Sequence, residues 1–253
     1  MSETNSRVNQ NGVLDDVRRA LGRSQSVPPV PLPPFTEPSI KTEARDLARF
    51  TEEATAVRAQ VHYLFGKLQP IASHAVESAM RPNDQVELVE SIVQQIAEIC
   101  VAYKGLEIAL SGAQLFAEMN LTSKLEAQGF STFVCNETDH EQKVARLAAC
   151  GVGLTAASYA IAETGTIVVD SGEQNALLVS LLPPVHIALV RWSQIAASID
   201  EVISRIGKEK VGSLNGARSV TLITGPSRTS DVELVLSIGV HGPKELHVII
   251  FDE

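Results

Sequence analysis

The chain has 253 residues, 44% of them apolar, enough to bury one large core or two small ones. It carries 21 Lys and Arg against 30 Asp and Glu, a net charge of -9, with no basic block and 4% aromatics. That excludes a nucleic-acid footprint but leaves room for a small anion held by local donors.

No apolar run approaches the length of a membrane span, and the polar start MSETNSRVNQNG is unlike a signal peptide, so a cytoplasmic location is expected. Val13, Leu14, Val17 and Leu21 fall on one face of a short helix. Six prolines between Pro28 and Pro38 then stiffen the chain into an extended connector. Residues 1–38 therefore read as an N-terminal arm, and residues 39–253 as the main domain. Within it, 39–104 is expected to be mostly helical. Leu47, Phe50, Val57, Val61 and Leu64 recur at helical spacing, as do Val86, Val89, Val93, Ile96 and Cys100, with Gly105 as a stop.

From 105 to 253 the texture changes to an α/β core. The spacing predicts a strand at 107–110, a helix to Gln128 closed by Gly129, and a strand at 130–135. Thr138 and Glu141 form a capping box that opens a helix ending near Cys150. Runs at 159–163 and 166–169 flank Thr164-Gly165 as a hairpin. Further strands are expected at 185–190, 220–224 and 246–251, separated by helices at about 193–206 and 230–238. Strands alternating with helices predict a largely parallel sheet flanked by helices, with a helical N-terminal region.

The three cysteines, Cys100, Cys135 and Cys150, have no C-x-x-C spacing and read as small buried thiols. An iron-sulfur cluster held by this chain alone would need four thiolates, and no metal or cofactor is expected on it. Gly151-x-Gly153-x-x-Ala156 matches a dinucleotide fingerprint only formally, because a helix precedes it and strand-like residues follow.

The densest chemistry lies in 224-TGPSRTSDVELVLSIGVHGP-243. Ser230 and Glu233 read as a second capping box, so the loop Gly225, Pro226, Ser227, Arg228, Thr229 would join the end of a strand to the start of a helix. Unpaired amides at such a start attract anions, and the Arg228 fork suits a carboxylate or phosphate. Asp231 and Glu233 would compete for the same positive end, and a well-capped helix with Arg228 in a surface ion pair is the plain structural alternative. His241 and Gly242 turn beside this loop. Glu163, before Thr164-Gly165-Thr166, is either a water-exposed hairpin carboxylate or a desolvated base with a raised pKa. His186 faces opposite to Val185 and Ile187 by strand alternation, as a hydrogen-bonded structural histidine or a catalytic one.

Three segments taken together, IAETGTIVV, LLPPVHIALV, and GPSRTSDVEL followed by GVHGPKELHVII, resemble the LUD (lactate utilization) domain family. The resemblance runs strongly from about Cys150 to the end and more loosely over 40–150. It implies a fold related to the glucosamine-phosphate deaminase, ribose-phosphate isomerase and CoA-transferase group. It also implies a part in oxidising L-lactate to pyruvate beside iron-sulfur partner proteins. The lack of cluster-binding cysteines separates the chain from the iron-sulfur subunit that carries a related domain. The family hands over no settled active site. The residues give Glu163, His241 and His186 as candidate proton-handling groups. Thr164, Gly165, Thr166, the 225–229 loop and Gly242 are the candidate carboxylate contacts. Two alternatives stay open: a freestanding CoA-transferase-like or sugar-phosphate isomerase-like enzyme with Glu163 as nucleophile or base, and a non-catalytic assembly subunit. A homo-oligomer fits any of the three.

Overall fold

The computed structural model describes residues 19–20, 44–64, 85–135, 140–170, 176–210, 219–230, 236–238 and 242–252. The chain divides into two units, Met1–Glu37 and Pro38–Glu253. Of the first, only Arg19 and Ala20 are described, both helical. No helix among the described residues is long and apolar enough to cross a membrane.

The second unit is built on a six-stranded, wholly parallel sheet. Its strands are β1 (Gln60–Leu64), β2 (Glu107–Leu110), β3 (Ser131–Val134), β4 (Val152–Ala156), β7 (Val185–Arg191) and β12 (Glu245–Phe251). They lie in the order β1-β12-β7-β4-β2-β3. The central strands VGLTA and VHIALVR are buried on both faces, which is why they read as near-continuous apolar runs. A second sheet, in the order β8-β5-β6-β9, joins β5 (Tyr159–Ile161), β6 (Thr166–Asp170), β8 (Ile195–Ala196) and β9 (Val220–Ile223). The expected hairpin at Thr164-Gly165 is its β5–β6 pair.

Strand alternation sends side chains to two cores. Ile108, Leu110, Val152, Leu154, Ile187 and Leu189 meet helix α2 (Gln85–Ala102) and the short helices α3 (Gln114–Glu118) and α4 (Leu121–Ala127) on one face. On the other face Ala188, Val190, Leu246, Val248 and Ile250 meet Leu47, Phe50 and Ala54 of α1 (Ala44–Ala56) and Ile167, Val169 and Ile195 of the second sheet. Further along that face, Ala109 and Phe133 pack on Leu147 of α5 (His140–Ala149) and Val179 of α6 (Ala176–Leu181). The second sheet's outer side, through Tyr159, Ile161 and Val168, is covered by α7 (Ile199–Lys210) at Val202.

Five expectations are corrected. Val61 and Leu64 belong to edge strand β1. Helix α1 ends where Arg58 takes a left-handed φ of 70°, and the alternating QVHYL then suits a strand. The helix expected from 113 to Gln128 is broken in two at Asn120, left-handed at φ 51°. The helix expected at 193–206 begins only at Ile199, after a 3₁₀ turn (Trp192–Gln194) and β8. Most consequentially, no helix spans 230–238. Arg228–Ser230 and Leu236–Ile238 are antiparallel strands, β10 and β11. Leu236 and Ile238 stand two positions apart in β11, and there the period of two prevailed over the helical one. Strand β9 likewise pairs antiparallel with β6 rather than entering the parallel sheet.

Candidate functional site

In a parallel sheet wound in both directions, a crevice opens beyond the carboxyl ends of the strands where the winding reverses. Here β2 leads to β3 on one side, through α3 and α4, and the chain then crosses back through α5 to place β4 on the other. The reversal lies between β2 and β4. A cavity of about 540 Å³ opens at that carboxyl edge. Gln114 and Glu118 follow β2, Ser158 follows β4, and Arg191, Ser193 and Gln194 follow β7. The second sheet closes it with Tyr159 and Asp170, and α7 contributes Arg205.

Two guanidiniums are built into this crevice. Arg191 ends β7; its backbone N–H donates to Gln194 Oε1 at 2.8 Å, which fixes the turn, and its Nη2 lies 3.8 Å from Glu118 Oε2. Arg205 is held more firmly. Glu201, one turn earlier, accepts from Arg205 Nη2 through Oε1 and from the Ala197 N–H through Oε2 at 2.9 Å. The Arg205 guanidinium stands 5.7 Å above the Tyr159 ring, and its buried Nε has no hydrogen-bond partner. Only 14% of the Arg205 side chain is exposed, so its position is set by packing before any ligand arrives. A fork fixed in this way suits a carboxylate or phosphate. The hydroxyls of Ser158 and Ser193 add donors, and Asp170 supplies a carboxylate on the same wall.

Other candidates lie elsewhere. The 225–229 loop follows β9 and runs into β10, so no helix N-terminus stands over it. Gly225 has φ +78° and packs against Val57; a Cβ there would lie 3.2 Å from Val57 Cβ. Arg228 donates from Nη2 to the Val57 carbonyl, which satisfies an acceptor at the end of α1. Ser227 donates its N–H to the Pro243 carbonyl at 2.8 Å, next to Gly242. Gly225, Pro226, Ser227 and Arg228 do line a smaller cavity of about 360 Å³. It opens beside His186 and Leu246, at the amino ends of β7 and β12, opposite the crevice.

His186 is buried, with Nε2 2.8 Å from Thr155 Oγ1. Desolvation first, and the nearby His247 second, push its pKa down to about 3, so it is a neutral imidazole at ordinary pH. Glu163 Oε1 accepts the Ile199 N–H at 2.8 Å and so caps α7. Thr164, Thr166 and Thr224 form a hydroxyl chain with contacts of 2.7 and 2.8 Å. Gly165, φ +60°, rests on the backbone of α1. Thr229 lies in β10, and His241 falls outside the described residues.

The sequence reading passed over Arg191, Arg205 and Asp170, because each looks unremarkable in its own segment and only the fold brings them together. One signal was legible: in VHIALVRW a buried strand ends in arginine, at the edge where α/β sheets bind ligands.

A family model described as "LUD domain" matches residues 47–251. A lactate utilization protein C of Halalkalibacterium halodurans is 28% identical over 165 residues, covering 65% of this chain and 71% of that one. One from Bacillus subtilis is 24% identical over 250 residues, covering 96% and 97%. Another, from Deinococcus radiodurans, is 41% identical over 98 residues, covering 38% and 44%. Among solved structures, a DUF162 family protein from Deinococcus radiodurans superposes with a TM-score of 0.52 at 21% identity, covering 82% of this chain and 97% of that one; the likeness is one of fold.

Proposed function

The chain belongs to the LUD domain family, and from that premise we propose that it serves lactate utilization by holding a small carboxylate in the crevice at the carboxyl edge of its parallel sheet. Relatives named lactate utilization protein C support the lactate role. The observation that carries the carboxylate reading is the pair Arg191 and Arg205, placed in one crevice at the reversal point of the sheet. In this reading the guanidiniums hold the carboxylate of L-lactate or pyruvate, and Asp170 accepts the lactate hydroxyl as a hydrogen-bond donor. Converting lactate to pyruvate removes two electrons and two protons. We assign the electrons to iron-sulfur partner proteins and the two protons to solvent. The cysteines of this chain suit packing instead: burial pushes the Cys100 thiol up to about 12 and Cys150 up to about 11, so neither is a ready thiolate.

The test is calorimetric titration of L-lactate and pyruvate into the chain and into Arg205→Ala and Arg228→Ala. Loss of a charge-assisted hydrogen bond should cost Arg205→Ala about 1.5–3 kcal/mol, roughly 10- to 150-fold in Kd. The smaller cavity beside Gly225–Arg228 supports a second reading, with the carboxylate on that loop. Weakening in Arg228→Ala with parental affinity in Arg205→Ala would select the loop and reject the crevice.

A further inference from the structure

The crevice has a neighbour of opposite character. A second cavity, of about 520 Å³, opens on the same carboxyl edge and shares Leu115, Glu118 and Arg191 with the first. Beyond that shared wall its lining is largely apolar: Leu88 and Val89 from α2, Met119 after α3, and Phe251 at the end of β12. Its charged members come in both signs, Lys124 and Arg191 against Glu118 and Asp252. The rim thus gives no net preference for a second anion. Arg191 therefore has polar space on one side and apolar space on the other. Its ion pair with Glu118 spans 3.8 Å across that shared wall.

Either cavity is of ordinary small-ligand size, several hundred Å³. Lactate presents a single methyl group and leaves the apolar side unfilled. We propose that the preferred ligands are 2-hydroxy or 2-oxo carboxylates with a larger apolar side chain, whose carboxylate rests on Arg191 and whose side chain fills the space between Leu88, Val89, Leu115, Met119 and Phe251. This rests on the carboxylate reading above and adds the side-chain class to it.

The test compares L-lactate with L-2-hydroxy-4-methylpentanoate by isothermal titration calorimetry on the full chain. Each buried methylene is worth about fourfold in affinity, so three extra carbons give up to roughly 60-fold, and at least about tenfold tighter binding is expected. Met119→Gln and Val89→Thr should each shrink that ratio several-fold. Equal or weaker binding of the longer acid, with lactate still bound at Arg205, overturns the proposal and leaves the carboxylate reading standing. Absence of binding by both acids overturns both. An unchanged ratio in both variants would mean that the side chain lies elsewhere, and would also overturn it.

Discussion

Replacing Gly165 by alanine should destabilise the protein far more than the same change at Gly129. Both glycines have positive φ, +60° and +91°, so alanine at either meets the left-handed penalty, about 1–2 kcal/mol. Reduced freedom of the unfolded chain returns about 0.4–1 kcal/mol in each case. The surroundings separate them. A Cβ at Gly129 meets nothing within 4 Å, whereas one at Gly165 would lie 2.5 Å from Ala54 Cα and from the Glu53 carbonyl carbon, both in the backbone of α1. A helix backbone cannot yield as a side-chain tip can, and such overpacking adds about 1–3 kcal/mol. The expected totals are about 0.5–1 kcal/mol for Gly129→Ala and about 1.5–4 kcal/mol for Gly165→Ala, a large part of a typical domain's stability. Equilibrium urea unfolding followed by far-ultraviolet circular dichroism measures both. Equal losses would refute the close approach of the β5–β6 turn to α1, and with it the explanation of why glycine stands there.

Acid should weaken the fold through its buried histidines. His186 and His247 have pKa values lowered to about 3 and about 4, and His62 is lowered as well, in each case chiefly by desolvation. The unfolded chain therefore binds more protons below its own histidine pKa of about 6.5, and stability is complete above that value. It falls as pH drops from about 6.5 toward 4, by up to about 1.4 kcal/mol per pH unit for each such histidine, and His186→Gln should flatten the slope. Urea midpoints measured from pH 8 to pH 4 give that slope; a flat profile contradicts the burial of these rings. Glu163→Gln keeps the Oε1 acceptor for the Ile199 N–H but removes the negative charge at the start of α7, and should cost about 0.3–1 kcal/mol in the same assay. Leu154→Ala, at a fully buried position of the central strand β4, should cost about 2–5 kcal/mol, and a loss below 1 kcal/mol would question the core assignment.

The sequence made the parallel sheet legible because its central strands are apolar on both faces, as in VHIALV and LHVIIF, and because Thr164-Gly165 marks a tight turn. Alternation placed His186 opposite Ile187, and Ile187 does lie in the core of the other face. The failures share a cause. VELVLSI and QVHYL carry apolar residues compatible with both a period of 3.6 and a period of two, and strand pairing decided between them at 236–238 and 60–64. Misreading the first put a helix start over Arg228, where the fold has a strand and the guanidinium caps α1 instead. Arg191 and Arg205 were invisible for another reason: Glu201 holds Arg205 from the same helix, as an ordinary surface pair would read, while Glu118 and Tyr159 come from separate segments that only the fold gathers.

The most direct measurement is a crystal structure of the protein soaked with pyruvate. Electron density for the ligand against Arg191 and Arg205, with its carboxylate on a guanidinium, is the expected result. Density confined to the 225–228 loop beside His186, with the carboxyl-edge crevice empty, would contradict the account.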